Sequence, residues 1–133
     1  MDSKHRVTIP ARWRRADCGE FFLVPGHEKN HLLGYPSAEF EKVSRLVEVN
    51  ESIPARERQM FIRHFYSRAQ LCPIDKQGRI LLTDDLQKLA DIESEIFLVG
   101  AFNRFEIWNP TNWLKASEDD QRVFSRVATM IGL

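Results

Sequence analysis

Short apolar runs separated by turn residues fill most of this chain, and helical spacing is confined to a few stretches between them. Phe21 to Val24 and Leu32 to Tyr35 read as a strand pair around the loop Pro25-Gly26-His27-Glu28-Lys29-Asn30. Phe97 to Gly100 and Phe105 to Trp108 read as a second hairpin around Ala101-Phe102-Asn103-Arg104. Asp75-Lys76-Gln77-Gly78 has the Asp and Gly of a tight turn, with a strand on either side: Ser67 to Ile74 enters it and Arg79 to Leu82 leaves it. Ser37 suits a helix N-cap; after it Phe40, Val43, Leu46 and Val47 recur at helical spacing until Asn50, which predicts a core-facing helix. Pro54 opens a further helix with Met60, Phe61, Phe65 and His64 on its apolar side and Arg56, Arg58 and Arg63 toward solvent. Asp84-Asp85 reads as a helix start, where acids suit the positive end of the dipole. Tyr35, Phe40, Trp108 and Trp113 are expected in the core.

The pattern occurs twice. Asp2-Ser3-Lys4-His5-Arg6-Val7-Thr8-Ile9 matches Asp75-Lys76-Gln77-Gly78-Arg79-Ile80-Leu81-Leu82 in its Asp, its Arg and the two apolar positions that follow, at an offset of 75 − 2 = 73. At the same offset, the segment from Tyr35 to Phe40 overlays that from Trp108 to Trp113: an aromatic, a proline-containing helix start, another aromatic. Between these blocks Phe22-Leu23-Val24 recurs as Phe97-Leu98-Val99, displaced by two more residues, as a small loop difference would produce. Three blocks in one order mark a duplication. Ahead of Asp2 this sequence has no counterpart of the strand from Ser67 to Ile74, so the first copy is expected to lack its opening strand and to leave a sheet edge unpaired. The expected division is a first module at 1–52, a linking helix at 53–66, a second module at 67–116 and a C-terminal helical tail at 117–133.

Composition narrows the class. At 133 residues with 43% hydrophobic and 29% charged residues, the chain suits one compact unit or two half-size modules sharing a core. It has no apolar run long enough to span a bilayer, which predicts a cytoplasmic protein without a membrane partner. Cys18 and Cys72 form no CxxC or Cys/His cluster and read as reduced thiols. His5, His27, His31 and His64 lack metal-ligand spacing, and no nucleophile elbow, P-loop or Rossmann glycine run occurs, so no cofactor, metal, small-molecule substrate or enzymatic activity is expected. The net charge is zero but uneven: residues 1–15 carry five basic groups against Asp2, a local +4, whereas residues 84–95 carry five acids against Lys88, a local −4. An anionic partner should meet the N-terminal segment.

Asp2-Ser3-Lys4-His5-Arg6-Val7-Thr8-Ile9-Pro10-Ala11-Arg12-Trp13-Arg14 resembles the Asp-x-Lys-Gly-Arg-x-x-x-Pro-x-x-aromatic-Arg signature of the MraZ family. Asp75 to Leu81 resembles that family's second motif, and Leu98 to Trp108 its near-terminal hairpin. The resemblance implies an α+β fold of tandem, pseudo-symmetric swapped-hairpin modules of the AbrB type with flanking helices, assembled as a homo-oligomeric ring. It implies a nucleoid-associated transcriptional regulator that binds double-stranded DNA at direct repeats in the promoter of the division and cell-wall gene cluster. The DNA-contacting positions it assigns are Lys4 and Arg6, with Arg14 as a companion; His5, Arg12 and Arg15 join them as candidates on the same basic segment. His5 stands where the family has glycine, so a left-handed turn there requires histidine to bear the conformation. Thr83-Asp84-Asp85 replaces Pro10-Ala11-Arg12 in the second copy, which predicts a poor phosphate binder.

Each candidate has a structural alternative. Arg6 can be a turn salt bridge to Asp2, since Asp75 and Arg79 keep the same pair, and Arg12, Arg14 and Arg15 can be solvated arginines of a short helix packed by Trp13. The arginines between 56 and 68 can be a solvated face or subunit contacts. At the level of the whole protein, the alternatives are a protein-interaction or structural ring without specific DNA binding, and an antitoxin-like DNA-binding module.

Overall fold

The structure, a computed structural model, describes residues 1–14, 19–28 and 30–133. Seven strands and four helices follow in the order β1 (Arg6–Thr8), β2 (Glu20–Pro25), β3 (His31–Pro36), α1 (Ser37–Glu48), α2 (Ala55–Ser67), β4 (Gln70–Pro73), β5 (Arg79–Leu81), α3 (Asp84–Leu89), β6 (Phe97–Ala101), β7 (Arg104–Trp108) and α4 (Pro110–Met130), with a 3₁₀ turn at Ala11–Trp13. The fold is α+β. β1 and β5 form a two-stranded antiparallel ribbon, and the other strands form an antiparallel sheet in the order β4-β2-β3-β7-β6.

The strand register carries the duplication into space. In the ribbon Val7 lies opposite Ile80, and in the sheet Leu33 lies opposite Glu106. Both pairs are separated by 73 residues (80 − 7 and 106 − 33), the offset of the repeat, so equivalent residues face each other across one pseudo-two-fold axis. Hydrogen bonds beside the ribbon obey the same symmetry: Ile9 N donates to Gly78 O and Leu82 N to His5 O, each at 2.9 Å. β4, which opens the second copy, pairs with β2 of the first, with Phe21 opposite Cys72. At the far edge β6 pairs with β7.

The main core belongs to neither copy alone. Val7, Ile9, Phe21, Leu23 and Leu32 of the first copy share one buried cluster with Cys72, Ile80, Leu82, Leu86, Phe105 and Ile107 of the second. Period-2 alternation produces this in the two ribbon strands, where Val7 and Ile80 point inward between exposed or half-exposed neighbours. Phe105 is gripped by an edge-on Phe21 at 5.0 Å and a stacked Trp13 at 5.8 Å, and Gly34 on the neighbouring strand leaves the space its ring occupies. Burial pushes the Cys72 thiol up to about 11, so it behaves as a small inert hydrophobe; Cys18 lies outside the described residues.

The opposite face of the sheet holds a smaller aromatic cluster under α1 and α2. Phe40 stacks on Phe22 at 4.2 Å and on Phe65 at 5.6 Å. The Tyr66 hydroxyl donates to Phe40 O at 2.9 Å and accepts from Ser44 N at 3.0 Å, tying the two helices together. Several expectations need correction here. Pro36, not Ser37, occupies the N-cap of α1, and no side chain caps that end; the fixed φ of proline starts the helix instead. Leu46 is 68% exposed because α1 buries a narrower stripe than its sequence period suggests. Met60 and Phe61 on α2 are likewise exposed, leaving Phe65 as the residue of that predicted face that reaches the cluster. Trp113 is half-buried, stacked on Phe97 at 5.3 Å, while Tyr35, Phe40 and Trp108 are buried as expected. Asp84 and Asp85 do open α3, whose N-cap Thr83 accepts from Leu86 N. The boundary expected after residue 116 falls inside α4, which is continuous from Pro110 to Met130.

Leu32 is fully buried in β3, at the centre of the sheet. Leu32→Ala should therefore destabilise the chain by about 2–5 kcal/mol, read as a lower urea midpoint at unchanged slope.

Candidate nucleic-acid interface

The two Asp-to-Arg motifs fold into matching turns. Asp2 Oδ1 accepts from Lys4 N at 3.0 Å and Arg6 N at 2.8 Å, while Oδ2 accepts from Arg6 Nε at 2.9 Å. Asp75 repeats this frame with Gln77 N, Arg79 N and Arg79 Nε, each at 2.9 Å. A short carboxylate that satisfies two consecutive-turn amides and one guanidinium fixes the loop without help from the core, which is why the pair Asp…Arg at four residues recurs. The fourth position of each turn is left-handed: φ is 61° at His5 and 78° at Gly78. Gly78 takes this conformation freely, and His5 does so as a side chain would under strain, as expected from its replacement of glycine.

Arg6 and Thr8 of β1 share the outward face of the ribbon with Arg79 and Leu81 of β5. Arg79 also reaches across the axis, its Nη1 lying 3.7 Å from Asp2 Oδ2. The turns lie at opposite ends of this antiparallel ribbon. Lys4 and His5 are exposed on one, Lys76 and Gln77 on the other. Of the basic candidates, Lys4, His5 and Arg6 are thus brought together at the first turn.

The remaining candidates lie elsewhere. Arg14 Nε donates to Ile9 O at 3.0 Å, and its guanidinium covers Gly78, so it packs on the second copy's turn rather than beside Lys4. Gln87, 73 residues later, donates in the same way to Leu82 O at 2.8 Å. That symmetry gives Arg14 a supporting role in the fold, with its charge delivered to the second turn. Arg12 is exposed, its guanidinium 5.6 Å from the centre of the Trp13 ring, on the wall of a cavity of about 540 Å³ bounded by the β6–β7 turn. Arg15 lies outside the described residues. Sequence reasoning passed over Lys76, although it follows its turn Asp as closely as any cation in the first copy; the acids that marked this copy as unsuited to phosphate stand in the first turn of α3. Among the described residues no group of three or more His, Cys, Asp or Glu could hold a metal ion, and no helix is long and apolar enough to cross a membrane. His31 stacks on Trp108 at 4.1 Å.

Two diverged copies of one α+β unit, each carrying an Asp-held turn and joined through a shared ribbon, define the class of this protein. The family model described as "MraZ protein, putative antitoxin-like" matches residues 65–132. The chain is 34% identical over 132 residues to the transcriptional regulator MraZ of Caldicellulosiruptor bescii, covering 96% of this chain and 88% of the relative. It is 35% identical over 133 residues to that of Desulforamulus reducens, covering 98% and 91% of the two chains, and 35% over 132 residues to that of Symbiobacterium thermophilum, covering 99% and 94%. The chain belongs to the MraZ family.

The Asp2 and Asp75 carboxyls are held below their ordinary 3.8, first by the backbone amides of Arg6 and Arg79 and further by the amides of Lys4 and Gln77 and the arginine side chains. A carboxyl with a lower pKa in the folded state binds fewer protons there, so its contribution is complete above about pH 4 and is lost as pH falls through the depressed value. Asp2→Asn and Asp75→Asn should lower the melting temperature at pH 7. Their deficit relative to the parent should shrink between pH 4 and pH 2, as followed by circular dichroism.

Proposed function

We propose that this chain is a sequence-specific transcriptional regulator that binds double-stranded DNA through the outward face of the β1–β5 ribbon. The observation that carries the reading is the pairing of two Asp-held turns on one short ribbon, with Lys4 and His5 exposed at one end and Lys76 at the other. A three-pair ribbon is about 10 Å long, and a two-stranded β-ribbon fits the major groove of B-DNA, which is about 12 Å wide. Lys4 serves as a point charge for a phosphate. Arg6 uses its Nε on Asp2, and its terminal nitrogens suit guanine O6 and N7. The relatives' designation as transcriptional regulators supports the same reading.

The finer picture extends this one. The operator consists of direct repeats upstream of the division and cell-wall genes, and a cytoplasmic ring of subunits engages several repeats at once. A single ribbon makes few phosphate contacts, and the subunit is neutral overall, so avidity through linked sites supplies the affinity.

Fluorescence anisotropy on a repeat-bearing promoter fragment tests the assignment, with circular dichroism to check that each variant folds. Lys4→Ala should weaken binding to all duplexes alike and reduce the salt dependence by about one contact per subunit engaged. Arg6→Ala should cost about 1–3 kcal/mol at each engaged site and erode the preference for the repeats. Unchanged affinity in Arg6→Ala would remove that residue from the interface, and equal binding of promoter and random DNA by the parent chain would favour a ring that binds protein.

A further inference from the structure

The cavity bounded by the β6–β7 turn holds about 540 Å³, and the DNA reading leaves its chemistry unused. Small-molecule sites run from roughly 300 to 1,000 Å³. Phe21 and Phe105, both buried, give it an apolar side. Arg12 and Arg104 also line it, and among the described residues around it none is acidic. The Arg12 guanidinium rests near the Trp13 ring and makes no ion pair among the described residues. Arg104 Nε is buried without a hydrogen-bond partner, an arrangement that costs free energy until an acceptor arrives.

Phe102, at the tip of the turn, is fully exposed and left-handed, with φ 64°. A left-handed backbone suits glycine, and an aromatic ring is poorly solvated, so this position keeps a flat apolar face on the cavity wall against both preferences. Asn103 beside it carries a donor and an acceptor on one amide. The shared core does not require this wall. At the repeat offset of 73, Arg12 becomes Asp85 and Trp13 becomes Leu86, which is fully buried in α3. Arg104 becomes His31, whose ring is stacked on Trp108 at 4.1 Å. One copy thus fills the place with an aliphatic side chain, whereas the other sets a tryptophan and two arginines around a space.

We propose that this cavity binds a small aromatic anion of the nucleoside monophosphate class. The base stacks on Phe102 with its edge against the Asn103 amide, and the phosphate is met by Arg12 and Arg104. Guanidinium groups pair with phosphate oxygens in planar fashion, and a base of any kind can stack on an aromatic side chain. Arg12, a candidate for DNA by its place in the sequence, is assigned to this site instead. The assignment is independent of the DNA reading, since Lys4, Arg6 and Lys76 take no part in it.

Isothermal titration of the full chain with adenosine 5′-monophosphate tests the proposal, with adenosine and ribose 5-phosphate as its two halves and circular dichroism as the check on folding. The nucleotide should bind, and each half should bind at least about tenfold more weakly, as befits loss of one anchoring group. Phe102→Gly should weaken the nucleotide at least about fivefold, the loss of one stacked base. Its melting temperature should hold or rise, because glycine adopts the left-handed turn freely. Arg12→Ala should weaken the nucleotide and flatten the salt dependence of its binding, leaving adenosine unaffected. Absence of nucleotide binding at millimolar concentration would overturn the proposal. Full nucleotide affinity in folded Phe102→Gly and Arg12→Ala would overturn it too, by placing the ligand elsewhere. Either half binding as tightly as the whole would overturn the assignment of the ligand class.

Discussion

Everything in this molecule depends on one core being made by two half-sequences. Each copy offers a few short strands whose face toward the main core is too small to repay the ordering of its backbone alone. Placing equivalent residues opposite each other at Val7–Ile80 and Leu33–Glu106 merges the two faces into one cluster and satisfies the strand hydrogen bonds at the same time. The exposed side chains of the turns are then free of structural duty. An Asp carboxylate holds each turn from within, so the residues between Asp2 and Arg6 and between Asp75 and Arg79 can be chosen for what they meet outside.

This division explains why much of the fold was legible in the sequence. The repeat offset of 73 became the strand register, both hairpins lie where alternating apolar runs placed them, and the Asp…Arg pair became the turn frame. Such features are local or are repeated, so the chain states them twice. The helix faces were less legible. Leu46, Met60 and Phe61 have apolar side chains at helical spacing, yet burial depends on how a helix tilts against the sheet, which spacing does not encode. The same limit separated the basic residues. Arg12, Arg14 and Lys4 are near in sequence, but the chain turns after Ile9, and Arg14 finishes over Gly78 of the other copy. Its equivalence to Gln87 was written in the offset and needed only the alignment extended by a few residues.

Duplication inside one chain also changes what symmetry permits. Two identical subunits must mutate together, and their faces stay equal. Here the halves have diverged around an intact axis: histidine bears the left-handed turn in one and glycine in the other, and carboxylates follow the second ribbon strand where the first is followed by Pro10-Ala11-Arg12. The symmetric part is what the core requires, and the asymmetric part lies on the surface.

That divergence gives the ribbon a polarity. A two-fold homodimer presents the same face when turned end over end, and the sites it reads best are palindromes. A ribbon whose ends carry Lys4-His5 and Lys76-Gln77 has a distinguishable head and tail, so on the function proposed above reversing it on a duplex would exchange unlike contacts. One polypeptide thereby presents a directional surface that two identical halves could not.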